Sequence, residues 1–479
     1  MIDGSKNEDM TNNTNIMKNM KTKFTLLAVM LFLGFQVVHA QQNEECMTKL
    51  SIFSEYAKAK NYDAAFEPWM YVRTNCPKLH KAIYSQGAEI LEYKIEKATG
   101  AEKVSFLKDL VKLYKERQMH FASNSPAGEF ETKSCQLQYD NREALGLSDL
   151  ELYNCFDATF NSDIENFTNP KSLYTYFSLM VDLYDAGSKS AADLFNKYDD
   201  VAEKLQTEVG NYSEKLNVII EKEEAGTALT KKEGSYQRSY ESYLKAYDQV
   251  ASGVDKKLGD RANCENLIPL YKKGFEENKT NAVWLQRAAG KMSEKDCSDD
   301  PMFFKLVHAL HEINPSADSA YFLAILKDKE GKSNEALAFY EQAVGLQTDK
   351  FKKARLNEKI GDKLKNKGRY GSARNYYMKS LQLNPSNGRP HLRIAAMYNS
   401  SANDCGDSNY NKRAVFWLAA EEALKAGRVD PTLKSSAAQT AAHYKAKAPQ
   451  KTEIFQAGNA GQSISIGCWI GRSVTVPSL

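Results

Sequence analysis

The stretch from Lys353 to Pro385 constrains this chain more than any other, because two amphipathic helices and the reversal between them can be read directly from it. Leu356, Ile360 and Leu364 recur every four residues, and Ala373, Tyr376, Tyr377 and Leu381 recur at three and four, which is the apolar stripe of a helix buried on one side. Gly368 stands where the chain must turn back, and Pro385 stops the second helix. A lone hairpin of this kind cannot cover its own apolar face, so it calls for neighbours of the same shape.

With Ala354 as the first position, Ile360, Gly361, Leu364, Gly368, Tyr370, Ala373, Tyr377 and Pro385 carry a pattern that resembles the tetratricopeptide (TPR) repeat. Gly361 and Ala373 take the family's small positions, where helix A and helix B approach closely, and Asn357 replaces its aromatic at position four. Ala317 to Leu346 resembles a second copy through Leu323, Ala324, Gly331, Ala336, Tyr340 and Ala343. A third starts at Gly388 with Ile394, Ala395 and Tyr398, is interrupted from Ser400 to Lys412, and returns at Arg413 to Leu424. Cys46 to Pro77 is similar but lacks the small residue of helix A; Trp69 takes the aromatic place.

The chain has 479 residues, 64 Lys plus Arg against 61 Asp plus Glu, so no excess of one sign argues for a nucleic-acid partner. That length exceeds one compact core and fits a string of stacked hairpins. Lys18, Lys21 and Lys23 precede the apolar run Phe24 to Val38, and Val38-His39-Ala40 is a small-residue exit, which reads as a secretory signal peptide cut after Ala40. Met20 is an alternative start. Cys46 lies several residues past the cut, so no lipidation is expected.

The eight cysteines contain no C-x-x-C pair, and in an exported chain they read as disulfides. In an antiparallel hairpin the start of the first helix lies beside the end of the second. That favours Cys46 with Cys76 and Cys264 with Cys297. Cys135 and Cys155, flanking a shorter helical turn, form the third candidate pair, and elimination leaves Cys405 with Cys468.

In the middle of the chain Val201, Leu205, Glu208, Tyr212, Leu216, Ile219 and Glu223, and then Tyr236, Tyr240, Tyr243, Tyr247, Val250 and Val254, step by fours and threes, a near-heptad seam with polar breaks. Two long helices folded back on each other are expected, with the tyrosines as core. At the C-terminus Ile464, Ile466 and Cys468 alternate with Ser463, Ser465 and Gly467, and Val474-Thr475-Val476 follows, which predicts a short β-hairpin. Trp469 is expected to cover the exposed end of the array.

The expected fold is therefore all-α: a TPR-like helical-hairpin solenoid with a long antiparallel helical pair in the middle and a short C-terminal β-hairpin. Its divisions are 1–40, N-terminal extension and signal peptide; 41–190, N-terminal helical repeats; 191–260, the long hairpin; 261–448, the TPR array; and 449–479, the tail.

No G-x-x-x-x-G-K, H-E-x-x-H or G-x-S-x-G motif is present, and His308 and His311 read as ordinary histidines. No catalytic residue, cofactor or metal is expected. In peptide-binding TPR domains the groove is lined by helix-A positions two, five, nine, twelve and thirteen. The resemblance thus implies Arg355, Glu358, Asp362, Lys365 and Asn366, with Tyr321 and Arg389 from the neighbouring copies. The Lys and Asn with which chaperone-binding members clamp a terminal carboxylate are replaced by Tyr321/Ile325, Glu358/Asp362 and Leu392/Ala396, so that ligand is not expected.

Signal peptide, repeats and the Gly467-Cys468-Trp469-Ile470 tail together resemble the secreted TPR proteins of the Bacteroidota. The function this implies is an exported scaffold with protein partners in the periplasm or at the cell surface, with possible peripheral association with the outer membrane. The alternative is a glycan-binding protein similar to TPR-containing nutrient-uptake receptors.

Overall fold

The computed structural model describes residues 43–479; the expected signal peptide, its cleavage site and the choice between Met1 and Met20 lie outside the described residues. The chain divides into two compact units, one ending at Asn169 and the other running from Pro170 to Leu479. Both are stacks of helical hairpins, and a two-stranded sheet at the C-terminus is the only sheet among the described residues.

The first unit contains α1 (residues 43–58), α2 (Tyr62–Asn75), α3 (Ala82–Lys97), α4 (Gly100–His120), α5 (Ala127–Asp140), α6 (Arg142–Leu145) and α7 (Asp149–Ser162). Phe53, Trp69, Val72, Ile83, Leu91, Leu107 and Leu110 form its core. The small residue missing from the first repeat is supplied by the next helix. A Cβ at Gly87 would lie 2.4 Å from the Trp69 Nε1, which donates to the Ile83 carbonyl at 2.7 Å. Arg73 is buried between Asp109, at 2.9 Å, and Glu116, at 2.7 Å, so its charge is matched where water is scarce. Ser148 starts α7 with a capping box to Glu151.

The second unit opens with α8 (Pro170–Asp185), α9 (Ala191–Glu224) and α10 (Lys231–Leu258). The array follows as α11 (Cys264–Asn278), α12 (Ala282–Glu294), α13 (Pro301–Ile313), α14 (Ala317–Lys329), α15 (Ser333–Leu346), α16 (Lys350–Asn366) and α17 (Tyr370–Leu383). It ends with α18 (Arg389–Ser401), α19 (Asn409–Val429), α20 (Lys434–Lys447) and α21 (Lys451–Ala457), before β1 (Ser463–Ile466) and β2 (Arg472–Thr475). Gly331 and Gly368 turn the α14–α15 and α16–α17 hairpins at φ +76° and +72°, a conformation in which a Cβ is strained. In each hairpin the helix-B tyrosine reaches back to an aspartate of helix A: Tyr340 to Asp328 at 2.9 Å, and Tyr377 to Asp362 at 2.7 Å.

The four cysteine pairs 46–76, 135–155, 264–297 and 405–468 lie at disulfide distance, with Cα separations of 6.3, 5.8, 5.4 and 5.4 Å. Cys135 and Cys155 face each other from within α5 and α7, on either side of the one-turn helix α6.

Two local expectations are overturned. The interruption in the third copy closes to residues 402–408, because Ser408 caps α19 through the Asn411 N–H. Trp469 does not cover the end of the array. Its ring meets those of Tyr370 and Tyr398 at 5.5 Å and its Nε1 donates to Ser401 at 2.9 Å, while Arg374 donates to the Ile470 carbonyl. The β-hairpin is thereby seated on α17, α18 and α19, with Ile466, Ile470, Val474 and Val476 buried beneath it. A tryptophan with an open indole N–H is better served by that polar and aromatic socket than by a solvent-facing end.

Candidate functional site

Helices α12, α14, α16 and α18 stand side by side and make one face of the array. The polar links between them are Gln286 to Asp318 at 2.7 Å, Lys367 to Asp328 at 2.7 Å and Arg393 to Asp362 at 2.9 Å. Along the N-terminal ends of α12, α16 and α18 runs α9. Asp200 pairs with Arg287 at 2.9 Å, Gly210 receives the Phe351 ring at 3.6 Å from its would-be Cβ, and Asn217 accepts from the Ser386 N–H at 3.0 Å. These three α9 positions advance by ten and seven residues, about 15 and 10 Å of helix, in step with the roughly 10 Å spacing of packed helices. Asp248 of α10 adds an ion pair to Arg389. The long hairpin is thus a side wall of the helix-A face rather than a break in the array.

Of the groove residues expected from sequence, most are committed within the protein. Tyr321 is 6% exposed and packs on Tyr340, 5.9 Å between rings, so it is core. Glu358 accepts from Asn387 at 3.0 Å, and burial pushes its carboxyl up. Asp362 is shared by Tyr377, Arg393 and, at 4.0 Å, Lys365. Asn366 is exposed at the end of α16. Arg389 is held by α10.

Arg355 differs. It makes no ion pair with a described residue, and desolvation lowers its guanidinium against the pull of Asp349 and Glu358. Lys359, one turn on, also has no ion pair among the described residues. Its ammonium is lowered by the burial of its surroundings, with Asp318 and Glu294 opposing that and Arg355 and Lys291 adding to it. Lys352, Arg355 and Lys359 sit at i, i+3 and i+7 and share the face that Phe351 turns to α9. Across from them the Asp318 carboxyl is raised by burial and drawn down by Lys359 and Lys352. Lys359 escaped the sequence reading because it stands at position six, outside the groove positions taken from the resemblance. The arrangement can hold anionic groups without first breaking a salt bridge.

A second titratable cluster joins α9 to α12. Lys291 is 3% exposed, 3.3 Å from Asp199, with its Nζ 3.5 Å from the centre of the Tyr198 ring. Burial raises Asp199 to about 6. His311 bonds Ser319 at 3.0 Å and His308 lies against Phe304, so the two do not converge. Among the described residues no group of side chains could hold a metal ion, and no helix is long and apolar enough to cross a membrane.

No protein-family model matches the chain, and no curated protein matches it in sequence. Solved structures similar to it include the human IFIT1 dimer with PPP-AAAA, 12% identical, covering 85% of this chain and 93% of that one at a TM-score of 0.27. Yeast Tom70 is 12% identical, with 87% and 90% coverage and a TM-score of 0.28. The APC/C hetero-tetramer Cut9-Hcn1 is 12% identical, with 87% and 89% coverage and a TM-score of 0.26.

Proposed function

We propose that this chain is an exported scaffold of the secreted, Bacteroidota-like TPR type that binds segments of other proteins along the helix-A face of its second unit. The observation that carries the reading is the pair Arg355 and Lys359: two cations one turn apart, with no ion pair to a described residue, on the face that Phe351 turns to α9. Such a pair favours acidic side chains of a partner segment, which would meet it without displacing a direct salt bridge. Residence in the periplasm or at the cell surface, with peripheral contact to the outer membrane, fits the four cysteine pairs and the leader-like residues 1–40.

The test is affinity capture with the full chain under oxidising conditions, followed by mass spectrometry. Partners that are retained by the native protein and lost with Arg355→Glu, Lys359→Glu support the scaffold. If no protein is retained and oligosaccharide arrays bind instead, the glycan-binding alternative replaces it.

A further inference from the structure

The α9–α10 hairpin forms a trough on its side away from the array, and α8 fills only part of it. Tyr174 of α8 lies over Gly253, its ring 3.0 Å from where a Cβ would stand, and Phe177 meets Tyr198 at 5.8 Å. Two carboxylates on the flank of α8 meet cations at the trough's lip: Asp182 pairs with Lys257 at 2.8 Å and Asp185 with Arg261 at 2.5 Å. Contacts from 174 to 253, 182 to 257 and 185 to 261 set α8 parallel to α10 and end it near the middle of the hairpin. α8 is about 24 Å long against about 42 Å for α10, and its last turn runs past Leu258 to Arg261, so less than that length of the wall is covered.

The uncovered end is lined by tyrosines. Tyr212 stacks on Tyr243 at 4.7 Å, Tyr236 on Tyr240 at 5.9 Å, and Tyr236 and Tyr243 remain 44% and 42% exposed. These residues continue the heptad stepping whose lower half is core, so the sequence writes a buried seam where nothing in the second unit buries it. The lip repeats the chemistry seen beside α8. Lys215 lies over Tyr212 at 4.9 Å and Lys232 over Tyr236 at 5.5 Å, and neither has an ion pair among the described residues. Nor do the hydroxyls of Tyr236, Tyr240 and Tyr243 bond to any described residue.

We propose that this end of the trough docks an amphipathic helix of a partner protein, about three turns long, with an apolar stripe on the tyrosines and carboxylates along the flank that meets Lys215 and Lys232. The occupant is a helix because the interface already built by α8 continues without a change of geometry, and acidic because the lip is cationic. This surface is separate from the helix-A face and stands without the scaffold reading.

The probe is a fluorescein-labelled synthetic peptide with the α8 sequence, Pro170–Asp185, titrated with the full chain by fluorescence anisotropy. Saturable binding is expected. Lys215→Glu combined with Lys232→Glu weakens it by about tenfold, as does Tyr243→Ser, and a peptide carrying Asp182→Lys and Asp185→Lys regains affinity for the Glu variant. Circular-dichroism melts confirm that the variants fold. The proposal is overturned by the absence of saturable binding, by binding indifferent to the charge swap and to Tyr243→Ser, or by release of the peptide with chito-oligosaccharide, which would make the tyrosines a sugar platform.

Discussion

Gly361 and Gly345 are both helical glycines, and they stand in opposite surroundings. A Cβ at Gly361 would meet the Tyr377 ring at 2.6 Å, and that ring is pinned by its hydroxyl on Asp362; at Gly345 a Cβ meets nothing within 4 Å. Gly345→Ala is therefore expected to stabilise by up to about 1 kcal/mol, the ordinary helix-propensity gain. Gly361→Ala should lose about 1–2 kcal/mol, since overpacking outweighs that gain. Urea denaturation followed at 222 nm distinguishes the two signs. Asp199 gives a pH prediction. Burial raises its carboxyl from an ordinary 3.8 to about 6 in the folded protein, so folding takes up a proton between those limits. Its contribution is neutral below pH 4, becomes progressively unfavourable as pH rises from about 4 to 6, and levels off above. Relative to Asp199→Asn, the native protein should lose of order 2 kcal/mol across that window; chemical denaturation of both proteins from pH 4 to 7 checks it.

At the scale of elements, the short-range signals were legible and the long-range ones were not. The Gly361/Tyr377 approach and the Gly368 turn rest on residues within a few turns of one another, where spacing alone speaks. The ends of a helical hairpin bring Cys46 toward Cys76 for the same reason. By contrast, Arg389 meets Asp248 across 141 residues and Ser386 meets Asn217 across 169, and no local period announces either. The internal pairing of the helix-A face, and the lack of an ion pair to Arg355 and Lys359 among the described residues, required the fold. Trp469 was misread likewise: its socket is assembled from Tyr370, Tyr398 and Ser401, each distant in sequence. The tail supplies a third prediction. Cys405→Ser with Cys468→Ser opens a link spanning 63 residues, with an expected loss of about 2–4 kcal/mol. Limited proteolysis should then clip residues 460–479 before the helices, whereas in the native protein the tail persists.

For the molecule as a whole, the division at Asn169 and Pro170 predicts that residues 170–479 fold without the preceding unit. Expressed alone under oxidising conditions, that fragment should show a cooperative melt and the helical signal of α8 to α21; a fragment that stays unfolded would mean that the two units share one cooperative core. The rod α9, fastened to the array at Arg287, Phe351 and Ser386, has a mechanical consequence. An unsupported stack of helical pairs behaves as a spring, whose pitch gives with each bound ligand. Splinted along one edge, this stack keeps its pitch, so a ligand meets a rigid gauge: a segment of matching length is held without loss to reshaping its host, and one of another length finds no accommodation.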